Sequence, residues 1–134
     1  MRIKFPYKKE HSKIFGSIKR PVALACFWSK KFNRYLEFTF IVDTGADYTI
    51  FPYSKAEDLG INPEKDCISF RTSGIGGAEI VFLLPEIKMK LGNTEKIIPV
   101  GFLKHDDIPP LLGRFKCLDA FSVLFKSFNT TFSS

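Results

Sequence analysis

Cysteine is scarce in this sequence. Cys26, Cys67 and Cys117 are odd in number, far apart, and form no C-x-x-C pair. That excludes a disulfide framework as the source of stability, and the expectation is free thiols in a reducing, cytoplasmic setting. Histidine is scarcer still. His11 and His105 do not stand at zinc-ligand spacing, so no zinc site is expected. No apolar run approaches the length of a membrane span. The opening stretch, Met1 to Glu10, lacks the pattern of a signal peptide, so no membrane partner is expected and the Asn129-Thr130-Thr131 sequon carries no weight. Repeats, low-complexity tracts and a dividing linker are all missing. One domain over residues 1–134 is expected, with 1–17 as an N-terminal extension or dimer strand and 18–128 as the core.

What is present suffices for a core. The chain has 134 residues, 45% hydrophobic and 25% charged, which is long and apolar enough to fold without staples. Phenylalanine is abundant, 15 in all and spread from end to end, which points to core filling and subunit contact. The net charge is +6, with a local excess in Arg2, Lys4, Lys8, Lys9, Lys13, Lys19 and Arg20. No recognisable nucleic-acid-binding motif accompanies it. The expectation is a solvated basic face and no nucleic-acid partner.

Periodicity predicts mostly strands: Ile3–Phe5, Ile14–Trp28, Tyr35–Val42, Thr49–Phe51, Ile68–Thr72, Ala78–Met89, Lys96–Phe102 and Ser122–Phe128. Tyr35-Leu36-Glu37-Phe38-Thr39-Phe40 shows the alternation. Two short helices are predicted. Ser54-Lys55-Ala56-Glu57 reads as a capping box with Gly60 as the stop, giving a helix over Lys55–Leu59. Phe115, Leu118 and Phe121 recur on one face, giving a second over about Phe115–Phe121. The fold class is therefore all-β, mostly strand with two short helices.

Three segments carry chemistry. In Phe40-Ile41-Val42-Asp43-Thr44-Gly45-Ala46-Asp47 an apolar strand ends abruptly at Asp-Thr-Gly. A strand end can hold a carboxylate rigidly, a Thr hydroxyl can lock a loop, and Gly permits a tight turn close to a ligand. The tripeptide alone would pass for an ordinary turn. Ser73-Gly74-Ile75-Gly76-Gly77-Ala78 is a Gly-rich tip between two strand-like segments. It is no phosphate loop, since no Lys-Ser/Thr follows and a strand comes next. Pro109-Pro110-Leu111-Leu112-Gly113-Arg114 then runs into the second predicted helix. The order and spacing of the three is the strong signal.

Taken together, these segments resemble the retropepsin-like family of aspartic peptidases, over about residues 18–128. Val42-Asp43-Thr44-Gly45-Ala46-Asp47 is similar to the family's catalytic motif, Gly74-Ile75-Gly76-Gly77 to its flap tip, and Leu111-Leu112-Gly113-Arg114 to its apolar-apolar-Gly-Arg segment. Lys19-Arg20-Pro21-Val22 is weakly similar to a basic N-terminal stretch of some members. The resemblance implies a single-lobe acid-protease barrel that works as a two-fold homodimer on peptide or protein substrates, with no metal or organic cofactor. Asp43, Thr44 and Gly45 would be catalytic, and Ala46, Asp47, Gly74, Ile75, Gly76, Gly77 and Leu111 would line the substrate. Asp47, Arg114 and Arg20 would form an ion-pair network near the dimer interface. One Asp-Thr-Gly in so short a chain leaves the second carboxylate to another copy. Two departures are Ala78, where a larger apolar residue is common, and the long extension Met1–Gly16. The alternative reading is a module of the same fold that binds extended peptides without cutting them.

Overall fold

The structure is a computed structural model that describes residues 1–74 and 77–134. Strands dominate, as the alternation requires. They are β1 (Arg2–Pro6), β2 (Lys8–Ser12), β3 (Gly16–Arg20), β4 (Val22–Ser29), β5 (Arg34–Val42), β6 (Thr49–Pro52), β7 (Ile68–Gly74), β8 (Gly77–Leu91), β9 (Thr94–Leu103), β10 (Leu111–Leu112), β11 (Ser122–Lys126) and β12 (Asn129–Ser133). The two short helices are α1 (Lys55–Asp58) and α2 (Pro63–Asp66), and Leu118–Ala120 makes a single 3-10 turn.

Seven strands form one sheet in the order β4-β5-β10-β6-β9-β8-β7, and β4 also pairs β8 through Cys26↔Lys90 and Phe27↔Met89. That extra pairing closes six strands into a barrel and leaves β7 outside, attached to β8. Closure removes the open edges that a flat sheet would present. β8 can serve so many neighbours because it is 15 residues long. Its ladder with β9 shifts register between Leu84 and Ile87, where Pro85 has no N–H to give. Beside the barrel lies a three-stranded sheet, β1-β12-β11. The hairpin β2–β3 forms a separate two-stranded sheet.

Phenylalanine fills the barrel. Phe27, Phe40, Phe51 and Phe102 are fully buried, with Phe51 at the centre. Its ring lies 5.1 Å from Phe27, 5.3 Å from Phe40 and 5.7 Å from Phe102, centroid to centroid. Such pairs contribute about 0.5–1.5 kcal/mol each beyond the area they bury. A smaller group, Phe5, Phe121 and Phe132, joins the three-stranded sheet to the 3-10 turn.

Several predicted elements differ. The strand over Ile14–Trp28 is two strands broken at Pro21, and Ile14 lies in the turn before the first. The capping box does not form. Ser54 is itself helical (φ −61°), its side chain makes no cap, and its N–H donates to Asp106 Oδ1 at 2.8 Å. Gly60, at φ +73°, does stop α1. The helix over Phe115–Phe121 shrinks to the 3-10 turn, because Lys116 takes φ +56°, a left-handed conformation no α-helix accommodates. The second short helix is instead α2. There the Asn62 side chain accepts from Glu64 N–H at 3.2 Å and Pro63 takes the first helical position.

Candidate active site

The barrel presents Asp43 where β5 ends. The last turns of that strand are braced on both sides. Val42 N–H donates to the Pro21 carbonyl at 3.0 Å, while Ile41 and Asp43 donate to the carbonyls of Pro110 and Leu112, each at 3.0 Å. β10 thus lies parallel to β5, with Leu111 opposite Ile41 and Leu112 opposite Val42. The Asp43 carboxylate is then fixed by its own loop. Its Oδ1 accepts Gly45 N–H at 2.9 Å, and its carbonyl accepts Ala46 N–H at 3.1 Å. At Gly45 a Cβ would stand 3.2 Å from Asp43 Oδ1, so a larger residue would crowd the carboxylate. Asp43 is partly exposed, and Thr44 and Gly45 are open to solvent.

A second loop is laced to the first. Arg114 N–H donates to the Ala46 carbonyl at 2.9 Å, and Phe115 N–H to the Asp47 carbonyl at 2.7 Å. Between them Gly113 N–H donates to the hydroxyl of Thr49, which is fully buried, at 3.2 Å. Gly113 lies against the Tyr48 backbone so closely that a Cβ would collide with it. Thr49 and Tyr48 escaped the sequence reading, since Thr49 matters only through a partner 64 residues away. Burial, and then the charge of Asp47, pushes the Tyr48 hydroxyl up from its ordinary range.

The other predicted site residues fall as follows. Ala46 and Leu111 are half-buried beside Asp43, and Asp47 is exposed. Asp47 and Arg114 share the wall of a cavity of about 580 Å³ with Tyr48, Phe115 and the hairpin residues Phe70 and Leu83. β7 and β8 pair from Ile68↔Leu83 out to Gly74↔Gly77. Ile75 and Gly76, the centre of the expected flap tip, lie outside the described residues. Within one chain the network of Asp47, Arg114 and Arg20 is not formed. Arg114 Nε is 3.3 Å from Asp119, and Arg20 Nε is 2.6 Å from Glu10. Thr44 lines a separate groove of about 280 Å³ with Arg114, Leu118, Phe121, Val123 and Phe125, next to β11. Among the described residues, no three His, Cys, Asp or Glu side chains are grouped to hold a metal ion.

The family described as "Aspartyl protease" matches residues 30–114, a span that runs from before β5 to Arg114. Among solved structures, the chain is similar to a retropepsin-like aspartic protease from Rickettsia conorii. The TM-score is 0.70 at 17% identity, over 98% of each chain. At that identity the likeness establishes the fold, which is retropepsin-like. No curated protein matches the sequence.

Proposed function

Because the chain belongs to the aspartyl protease family, we propose that it is an endopeptidase whose active site is assembled from two copies, each supplying Asp43. The observation that carries this reading is the anchoring of Asp43. One carboxylate oxygen is held by Gly45 N–H, while no donor among the described residues engages the other. A carboxylate so placed is aimed and available, and it lacks only a second one.

The three-stranded sheet supports the source of that second carboxylate. β11 pairs β12 on one side, and among the described residues no strand covers its other edge. Leu124 and Phe125 on it are exposed. An apolar edge of this kind is a template for a second copy. Antiparallel pairing of β11 with its twin about a two-fold axis would make one six-stranded sheet. The Thr44 groove adjoins β11, so the same pairing draws the two Asp43 loops together.

Two carboxylates at close range cannot both ionise freely, so the pair keeps one proton between them, as in the handling of water by aspartic proteases generally. The ionised member takes a proton from a water molecule, whose oxygen attacks the scissile carbonyl. The protonated member gives its proton to the carbonyl oxygen. The C–N bond then breaks as the amine receives the proton taken from water, and one hydroxyl of the tetrahedral intermediate returns its proton to the second carboxylate, which restores the pair. The peptide would lie extended between this loop and the β7–β8 hairpin, held through its main chain. Ala46, Asp47 and Leu111 would serve as walls, and Gly74, Ile75, Gly76 and Gly77 as the cover. Asp47 and Arg114, on loops already laced through Ala46 and Phe115, would meet Arg20 of the second copy.

The test is incubation with a diverse peptide mixture at acidic and neutral pH, with products read by mass spectrometry. Cleavage is expected, blocked by a statine-type inhibitor and lost in Asp43→Asn, which keeps the shape but not the base. Cleavage by Asp43→Asn at the wild-type rate would sink the reading.

A further inference from the structure

The charge of this chain is not shared out over its surface. Residues 1–20 hold seven Lys and Arg against the single carboxylate of Glu10, a surplus of six, which equals the +6 of the whole chain. The remaining residues sum to zero. Most of the surplus sits on the hairpin β2–β3, a two-stranded sheet that makes no ladder with any other strand among the described residues. An isolated two-stranded hairpin is marginal in water.

Its register makes matters worse. Lys8 stands opposite Arg20, and Lys9 opposite Lys19. Like charges directly across a ladder are destabilising. Glu10 answers only Arg20, at 2.6 Å. The tip has a different character. Ser12 Oγ accepts the N–H groups of Ile14 and Phe15 at 3.3 and 3.2 Å, which fixes the turn. The two side chains it presents are the most exposed large hydrophobics described, at 84% and 76%. At the root, Phe128 is also exposed, with Lys19 Nζ 4.3 Å over its ring.

We propose that the hairpin β2–β3 docks this protein on a membrane surface bearing anionic lipids. Ile14 and Phe15 enter the boundary between headgroups and acyl chains, and Lys8, Lys9, Lys13 and Lys19 face the lipid phosphates. Cations around an apolar tip suit that surface in both parts. A nucleic acid would answer the cations and leave Ile14 in water. The docking is peripheral and independent of the peptidase reading. It replaces the expectation of a merely solvated basic face. Since Pro21, directly after the hairpin, accepts Val42 N–H at the base of Asp43, docking would also set the direction in which the cleft faces.

The experiment is co-sedimentation of the full chain with phosphatidylcholine vesicles, with and without phosphatidylglycerol. Binding is expected only to the anionic vesicles and should weaken with added salt. Lys9→Gln/Lys13→Gln should weaken it about 25-fold, at about fivefold per cation near such a surface. Ile14→Ser/Phe15→Ser should weaken it by roughly tenfold or more. All four positions are exposed, and unchanged melting curves would show that the fold survives. A Phe15→Trp reporter should shift its emission to the blue on anionic vesicles and not on duplex DNA. Failure to bind anionic vesicles would overturn the proposal. So would full binding by the Ile14→Ser/Phe15→Ser variant, or DNA binding as tight as vesicle binding with no dependence on the tip. A tip variant that instead changes the oligomeric state would show that a second copy, not a lipid surface, is the occupant.

Discussion

At the scale of single residues, the site rests on small groups that cannot be enlarged or removed. Gly113 is against the Tyr48 backbone, and a methyl group there has nowhere to go. Gly113→Ala should cost about 1–3 kcal/mol, seen as a fall of several degrees in the thermal midpoint. A variant that melts like wild type would show that the two loops can move apart. Thr49→Val keeps the volume but strands the buried Gly113 N–H, at a cost of about 1–3 kcal/mol. Burial pushes the Cys117 thiol up to about 12 and the Cys67 thiol up to about 11. Both are raised above the ordinary thiol, so the stability linked to them is complete below about pH 9. It is lost as pH rises through the folded values. Denaturant midpoints should therefore fall between pH 9 and 11, and the fall should be shallower in Cys67→Ala. An equal slope in that variant would assign the loss to other groups. The Asp43-Thr44-Gly45 turn was legible in the sequence because the bonds that shape it, from Gly45 and Ala46 N–H to Asp43, are local. The clamp by Thr49 was not, because it exists only once distant loops meet.

Elements were legible where alternation governed them and obscure where a turn broke its own rules. β5 buries Phe40 and Val42 and exposes Glu37 and Thr39, as its pattern implies. β12 was missed for a physical reason. Ser127 and Phe128, at φ +52° and +59°, make the two-residue turn that joins β11 to β12. Such turns ordinarily use Asn and Gly, so Ser-Phe gave no signal, and Phe128 is retained by its ring contact with Tyr7. The proposed dimer turns on β11. Leu124→Glu puts a charge on an exposed edge position, so folding should be untouched. Sedimentation velocity should then show monomer across a dilution series, and cleavage should fall with it. A dimeric, fully active Leu124→Glu protein would remove β11 from the interface. Arg114→Ala should lower the melting point of the isolated chain little, because its pair with Asp119 is exposed and worth about 0–1 kcal/mol. A loss of dimer in that variant would instead support a role for Arg114 between copies.

At the scale of the whole molecule, the fold class was readable because barrel strands and a Phe-rich core leave a periodic trace. Closure of the barrel through β4 and β8 was not, since two residues of pairing write no pattern. One feature of the assembled molecule reaches back into its synthesis. Asp43 is made well before Leu112, yet its N–H is satisfied by that residue's carbonyl. Contacts so distant in sequence form slowly, because the intervening loop must close before they are rewarded. A growing chain that has already exposed Asp43 therefore has no ordered seat for it until the segment around Leu112 has left the ribosome. On the proposed function, each copy thus carries an unseated Asp43 until the segment around Leu112 has been made and has folded back onto β5.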